Sequence, residues 1–253
     1  MIIESTKNEI IKRAKALASK KGRQEQGVHF IEGEKLVREA VVSGVVFEDA
    51  FIDEGHELMA AVLAGSGANV HTVKRHVMES ITNTDTPQWV CATVRTPDMT
   101  LPESYPAGLI VVLDAVQDPG NLGTIIRTAD AMGASGVLLG DGCADPFAPK
   151  PIRASMGSVY HIPVWRSELA PELRKLSDDG FKLICTHLDG EETLPAVSEK
   201  CAVIIGNEGN GVADEYSAMC TLYRLPMYGF AESLNASVAA GIVIYELARA
   251  MRK

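Results

Sequence analysis

Between residues 5 and 21 apolar side chains return at helical spacing, at Ile10, Ile11, Ala14, Leu17 and Ala18, behind Ser5, a residue type suited to capping. The pattern predicts an amphipathic helix. The runs "VHFIEG", "GVVFEDAFID", "ANVHTV" and "QWVCATVR" then read as short strands, separated by helical segments near 33–43, 56–65 and 74–81. Such alternation predicts a small α/β domain over 1–95. The stretch 96–107 carries Pro97, Pro102 and Pro106 with little apolar content, and reads as an extended linker.

Beyond it, over 108–253, the apolar runs become nearly continuous: "LIVVLDAV", "GVLLG", "FKLICTH", "CAVIIGN" and "LYRLPM". Strands apolar on both faces belong to a mostly parallel sheet covered by helices on each side. The last stretch, from Ser233 on, is a helix apolar nearly all round, which predicts burial or an interface. Gly241 inside it predicts close packing against another backbone.

Composition narrows the picture. No apolar run approaches the roughly 20 residues of a membrane span, and the N-terminus lacks the layout of a signal peptide, so a soluble cytoplasmic protein is expected. The 5 cysteines are scattered among apolar neighbours, which suits reduced thiols and gives no metal site. A net charge of −9 argues against a broad nucleic-acid coat. Distribution changes that conclusion: Lys7, Lys12, Arg13, Lys15, Lys20, Lys21 and Arg23 crowd the first stretch and can form a local basic face, or a merely solvated one.

In open parallel sheets ligands bind beyond the carboxyl ends of strands. Three loops follow apolar runs there. In "DAVQDPGNLGTIIRTAD" a helix begins near Asn121; its first N–H groups suit an anion, Arg127 offers a forked contact to phosphate, and Asp130 is spaced to fix the guanidinium. An ordinary cap with a surface ion pair would look similar. "VIIGNEGNGV" (203–212) has its glycines spaced G-x-x-G-x-G, which is neither a dinucleotide fingerprint nor a P-loop, with Glu208 at its centre. "LPMYGFAESLNASVAAG" (225–241) places Glu232, Ser233, Asn235 and Ser237 at the mouth of the apolar helix, more polar groups than the cap at Ser233 or Asn235 requires.

Taken in order, "PGNLGTIIRTAD", "IIGNEGNGV" and "LPMYGFAESLNASVAAGIVIYELAR" resemble the three signature motifs of the SpoU (TrmH) family of RNA ribose 2′-O-methyltransferases. "PIRASMGSVYHIPV" (151–164) is similar to the family's inter-motif segment, and "STKNEIIKRAKALASKKGRQEQGVHFIEGEKLVREA" to a ribosomal-protein-like substrate-binding domain. Ala236 stands where many members have Val. The resemblance implies a C-terminal α/β domain of the SPOUT type with a trefoil knot, a homodimer, and S-adenosylmethionine as methyl donor.

Carried over position by position, it also implies a catalytic set of Asn121, Arg127, Glu208, Ser233 and Asn235. Cofactor contacts fall on Ile205, Gly206, Asn207, Gly209, Leu225, Met227 and Leu234, and Arg153 joins the basic N-terminal residues in holding RNA. A guanidinium stays charged in water, so Arg127 is expected to clamp the phosphate beside the target ribose, and to act as base only if its pKa falls. The implied substrate is large-subunit ribosomal RNA; transfer RNA and a non-catalytic RNA-binding homologue are the alternatives. A dehydrogenase would need the fingerprint that this chain lacks.

Overall fold

The computed structural model describes residues 2–82, 84, 86–207, 209–231 and 233–252, and the chain divides into two units. The first unit runs to Pro97 and takes in Phe147–Tyr160 as well; the second comprises Asp98–Pro146 and everything from His161 onward.

The first unit opens with β1 (Ile2–Ile3) and α1 (Glu9–Ala16). The single helix expected over 5–21 is instead two. Asn8 caps α1 by accepting from Ile10 N–H at 2.9 Å, while the Ser5 hydroxyl accepts from Lys7 N–H, ahead of the helix. Ser19 then caps α2 (Lys20–Gln26) through Gly22 N–H. The alternation that follows agrees with the sequence pattern: β2 (Val28–Glu32), α3 (Glu34–Val42), β3 (Phe47–Ile52), α4 (Glu57–Gly65), β4 (Asn69–Val73), α5 (Arg75–Ile81) and β5 (Val90–Arg95). The strands order as β1-β4-β3-β5-β2, parallel from β1 to β3 and antiparallel on both sides of β5. Ile11 and Leu17 lie in one core cluster with Phe30, Phe51, Val77 and Met78.

The second unit contributes β6 (Gly108–Leu113), α6 (Pro119–Ala131) and β7 (Gly136–Leu139). The chain next forms α7 (Pro149–Ser155), which belongs to the first unit. There His29, fully buried on β2, is hydrogen-bonded through Nε2 to the Tyr160 hydroxyl at 2.8 Å, which helps to explain why this segment groups with β2 although the sequence pattern set it within 108–253. Back in the second unit follow β8 (Val164–Arg166), α8 (Leu169–Asp178), β9 (Lys182–Glu191), β10 (Lys200–Ile205), α9 (Asp214–Ser217), β11 (Thr221–Tyr223) and α10 (Ala236–Ala250). Strand order is β11-β9-β10-β6-β7-β8, and every ladder is parallel.

Ile110, Val112, Leu138, Leu173, Ala202 and Ile204 are buried in one cluster on this sheet. Each large aliphatic side chain so buried stabilises by about 1.5–3 kcal/mol relative to exposure. The Pro-rich stretch has no helix or strand, yet Tyr105 is buried edge-on against Trp165 and donates its hydroxyl to Glu172 at 2.7 Å. Residues 98–107 are therefore part of the second unit and not a free spacer. Helix α10 buries Ala240, Val243, Ile244 and Leu247 and leaves Val238, Ile242 and Tyr245 exposed. Gly241 does not meet another backbone: a Cβ there would be 3.8 Å from the Thr128 methyl, an ordinary contact.

All five cysteines are free thiols. Burial raises the pKa of Cys91 and Cys143 and pushes Cys201 up to about 12, so these thiols stay protonated at neutral pH. Among the described residues no helix is long and apolar enough to cross a membrane.

Candidate active site

Strand order reverses direction beside β6, whose neighbours are β10 and β7. The loops that leave β6, β10 and β11 at their carboxyl ends carry the three sequence motifs. The structure shows how they are fastened together.

The first loop leaves β6 at Asp114 and Ala115. Ala115 has φ of 50°, a left-handed conformation that a residue with a side chain adopts at some cost. Asp118 then caps α6 by accepting from Asn121 N–H at 2.8 Å, with Pro119 at the first helical position. The helix thus starts two residues before Asn121. That residue keeps its side-chain oxygen for the third loop, where Asn235 Nδ2 donates to Asn121 Oδ1 at 3.0 Å.

In the second loop Gly206 is a packing requirement. A Cβ there would fall 2.1–2.3 Å from the main chain of Gly211 and Val212, because Asn207 and Gly211 exchange backbone hydrogen bonds at 3.0 Å. The Asn207 side chain donates from Nδ2 to Ala115 O at 2.9 Å and accepts from Gly209 and Asn210 N–H at 2.8 and 3.3 Å. Its amide is largely committed to the protein: it braces the loop and holds the strained Ala115 where the sequence reading expected a contact to cofactor. Asp114 adds a second brace by accepting from Ala213 N–H at 2.9 Å. Glu208 lies outside the described residues.

In the third loop Asn235, not Ser233, caps α10, accepting from Ser237 and Val238 N–H. Ser233 is exposed. Residues 225–231, 233 and 234 donate no backbone hydrogen bond to another main-chain group among the described residues, and Met227 and Leu234 are exposed by 39% and 36%. Upstream, Tyr223 is buried and donates to Glu246 Oε2 at 2.7 Å; burial, then the carboxylate, raises its pKa and keeps it neutral.

Arg127 is exposed on α6 and has no hydrogen-bond or ion-pair partner among the described residues. Asp130 does not fix it. That carboxylate lies 3.0 Å from His161 Nδ1 instead. The structure therefore joins Asn121 to Asn235 and Asn207 to Ala115, and leaves Arg127 and Ser233 open to solvent.

In the first unit Lys7, Lys12, Arg13, Lys20 and Lys21 are exposed and Lys15 is half-buried. Arg23 departs from its expected role. It is buried and donates to Leu17 O and Ala18 O at 2.8 and 3.2 Å, satisfying carbonyls at the end of α1, so it offers nothing to RNA. Arg153 is half-buried on α7 beside Phe30 and Glu32.

The SpoU rRNA methylase family profile matches residues 108–245, more than half of the chain and all three motif loops. The chain belongs to the SpoU rRNA methylase family. A second profile, for an MRM3-like substrate-binding domain, matches 8–92 of this SpoU protein. It is 39% identical to RlmP, a 23S rRNA (guanosine(2553)-2′-O)-methyltransferase of Bacillus subtilis, over 97% of this chain and 98% of that one. An AdoMet-bound rRNA methyltransferase of Sinorhizobium meliloti superposes with a TM-score of 0.88 at 36% identity, covering 98% of this chain and 97% of that one. The SpoU methyltransferase AviRb of Streptomyces viridochromogenes, in complex with AdoMet, gives 0.83 at 27%, covering 96% and 98%.

The residues present suit that cofactor. A loop with unspent main-chain donors, flanked by the exposed apolar side chains of Met227 and Leu234, offers polar and apolar contacts side by side. Adenosine and methionine moieties call for that mixture.

Proposed function

We propose that this SpoU protein transfers a methyl group from S-adenosylmethionine to a ribose 2′-hydroxyl of large-subunit ribosomal RNA. The Asn235–Asn121 hydrogen bond carries the reading, because it draws the third motif loop to the first beside a second loop braced to the same strand end. End-to-end similarity to a 23S rRNA 2′-O-methyltransferase supports the substrate class.

The cofactor supplies an electrophilic methyl on a sulfonium, and the protein supplies position and charge. The main chain around Ile205, Gly206, Leu225, Met227 and Leu234 holds it. Arg127, charged and open to solvent, clamps the phosphate beside the target ribose and steadies the oxygen as it loses its proton. Glu208, one residue beyond the Asn207 brace, and Asn121 orient the guanidinium, and Ser233 with Asn235 shapes the cofactor pocket. Lys7, Lys12, Arg13, Lys15, Lys20, Lys21 and Arg153 contact RNA from the first unit.

The protein works as a homodimer whose motif loops form a trefoil knot, in the cytoplasm. Support for the dimer comes from Tyr228 and Phe230, exposed by 97% and 108%, and from Val238, Ile242 and Tyr245, which line one face of α10 at helical spacing. Thr128, one residue beyond Arg127, packs on that helix at Gly241, which sets Arg127 near the interface and suits an active site shared between copies.

The test is incorporation of labelled methyl from S-adenosylmethionine into unmodified 23S rRNA, with ribose mapping of the product. Cofactor binding with no ribose methylation of that RNA would sink the reading. Light scattering of Ile242→Glu is expected to give a monomer where the parent gives a dimer.

A further inference from the structure

The first unit holds a groove that the methyl-transfer site does not use. It has a volume of about 490 Å³, within the range of about 300–1,000 Å³ typical of ligand sites, and is lined by Ile10 and Arg13 of α1, Phe47 and Asp49 of β3, and Asn69 and His71 of β4. All of them fall within the span matched by the substrate-binding profile.

Its polar groups are set in place before any ligand arrives. His71 Nε2 donates to Asp49 Oδ1 at 2.7 Å, and the imidazole packs against Phe51 with ring centroids 5.6 Å apart. Asp49 is itself fixed through its backbone N–H, which donates to Thr93 Oγ1 at 3.1 Å. With Nε2 committed, His71 Nδ1 remains. Neither it, the second Asp49 oxygen nor the Asn69 amide has a partner among the described residues. Arg13 adds a flat guanidinium on the rim, 3.8 Å from Glu48.

Charge decides what such a groove accepts. Glu48 sits within 3.8 Å of both Arg13 and Arg95, and Asp49 is answered by His71. The balance is near neutral, which does little for a phosphate backbone. What remains is a fixed set of donors and acceptors beside apolar Ile10 and Phe47, the combination that reads the edge and face of an unstacked base.

We propose that this groove binds an unpaired nucleobase of the RNA substrate and contributes to its selection. The inference rests on the RNA-methyltransferase reading above, but not on catalysis. Asn69 and His71 would read the base edge, and Arg13 would cover its face.

Selectivity and salt dependence of binding test it, using full-length protein, unmodified 23S rRNA transcript and transfer RNA as competitor. Asn69→Ala, at an exposed position, and His71→Ala are each expected to lower the preference for 23S rRNA about tenfold while leaving the slope of log K against log salt unchanged. Lys20→Ala, as a contrast, is expected to weaken both RNAs alike and reduce the slope by about 1. An unchanged preference in Asn69→Ala, a reduced slope in it, or a parent protein without preference would each overturn the proposal. S-adenosylmethionine affinity, expected to match the parent, keeps the two readings separate. Selective binding without methyl transfer removes the enzyme and spares the groove; methyl transfer with an indifferent Asn69→Ala removes the groove alone.

Discussion

The two units are both α/β, yet they spend their polar side chains in opposite ways. In the first, cations on the surface are largely answered: Lys12 by Glu9, Arg38 by Glu34, Lys74 by Glu54 and Arg75 by Glu79, all within 3.2 Å. Exposed pairs of this kind contribute roughly 0–1 kcal/mol each, so that surface tolerates change. In the second, two amides, Asn207 on Ala115 and Asn235 on Asn121, and the Asp114 carboxylate on Ala213 N–H brace the loops, while Arg127 and Ser233 are exposed and have no partner among the described residues. None of these braces uses Arg127, so its guanidinium stays available for a ligand.

The sharpest way to break this contrast is to remove Arg127. Arg127→Ala is expected to lower kcat for methyl transfer about 10²–10³-fold, the scale of a lost donor to developing charge. Cofactor affinity and the denaturation midpoint should hold, since the exposed side chain has no hydrogen-bond or ion-pair partner among the described residues. Arg127→Lys keeps a charge but loses the fork, and should recover only part of the rate. A normal rate in Arg127→Ala would remove the catalytic assignment.

Gly206→Ala comes next. The added methyl would lie 2.1 Å from Gly211 backbone carbon, and backbone cannot swing aside as a flexible side chain does. We expect about 1–3 kcal/mol of lost stability in the second unit, by the scale of overpacking, and weakened S-adenosylmethionine binding by calorimetry. Unaltered cofactor affinity would show that the 206–212 turn does not cradle the ligand.

Arg23→Ala tests the other arginine. Leaving Leu17 O without its buried donor is expected to cost about 1–3 kcal/mol in chemical denaturation, with methyl transfer per folded molecule unchanged. If RNA affinity fell instead, and stability did not, the buried guanidinium would have a role that its position denies.

How much of this was legible beforehand follows from which forces act locally. The parallel sheet was readable because strands buried on both faces must be apolar throughout, as Leu109–Leu113 and Cys201–Ile205 are. The short β8 and helix α7 were not, for Val164–Arg166 has too few residues to show a period, and α7 begins at Pro149 behind Ala148, which has no side chain to cap it. Residue types singled out the polar loops but not their connections. Nothing in the spacing of Asn121 and Asn235 reveals that one donates to the other, nor that Asp130 turns to His161. Arg23 misled for a related reason: a cation in a basic run looks solvated until the chain folds its guanidinium onto carbonyls five and six residues back.

The smallest effect discriminates most finely between the units, because it compares the same device in both. Asn8 caps α1 and Asn235 caps α10, each accepting backbone N–H bonds from the first turn. Either one replaced by Ala should cost about 1 kcal/mol of stability. Only Asn235 also donates across to Asn121, so only Asn235→Ala should slow methyl transfer beyond what its stability loss explains. Asn235→Asp separates the two roles, since a carboxylate still caps the helix but has no N–H for Asn121. Full stability with reduced kcat in that variant would locate the catalytic contribution in the link between loops; full stability with full kcat would reduce Asn235 to a helix cap like Asn8.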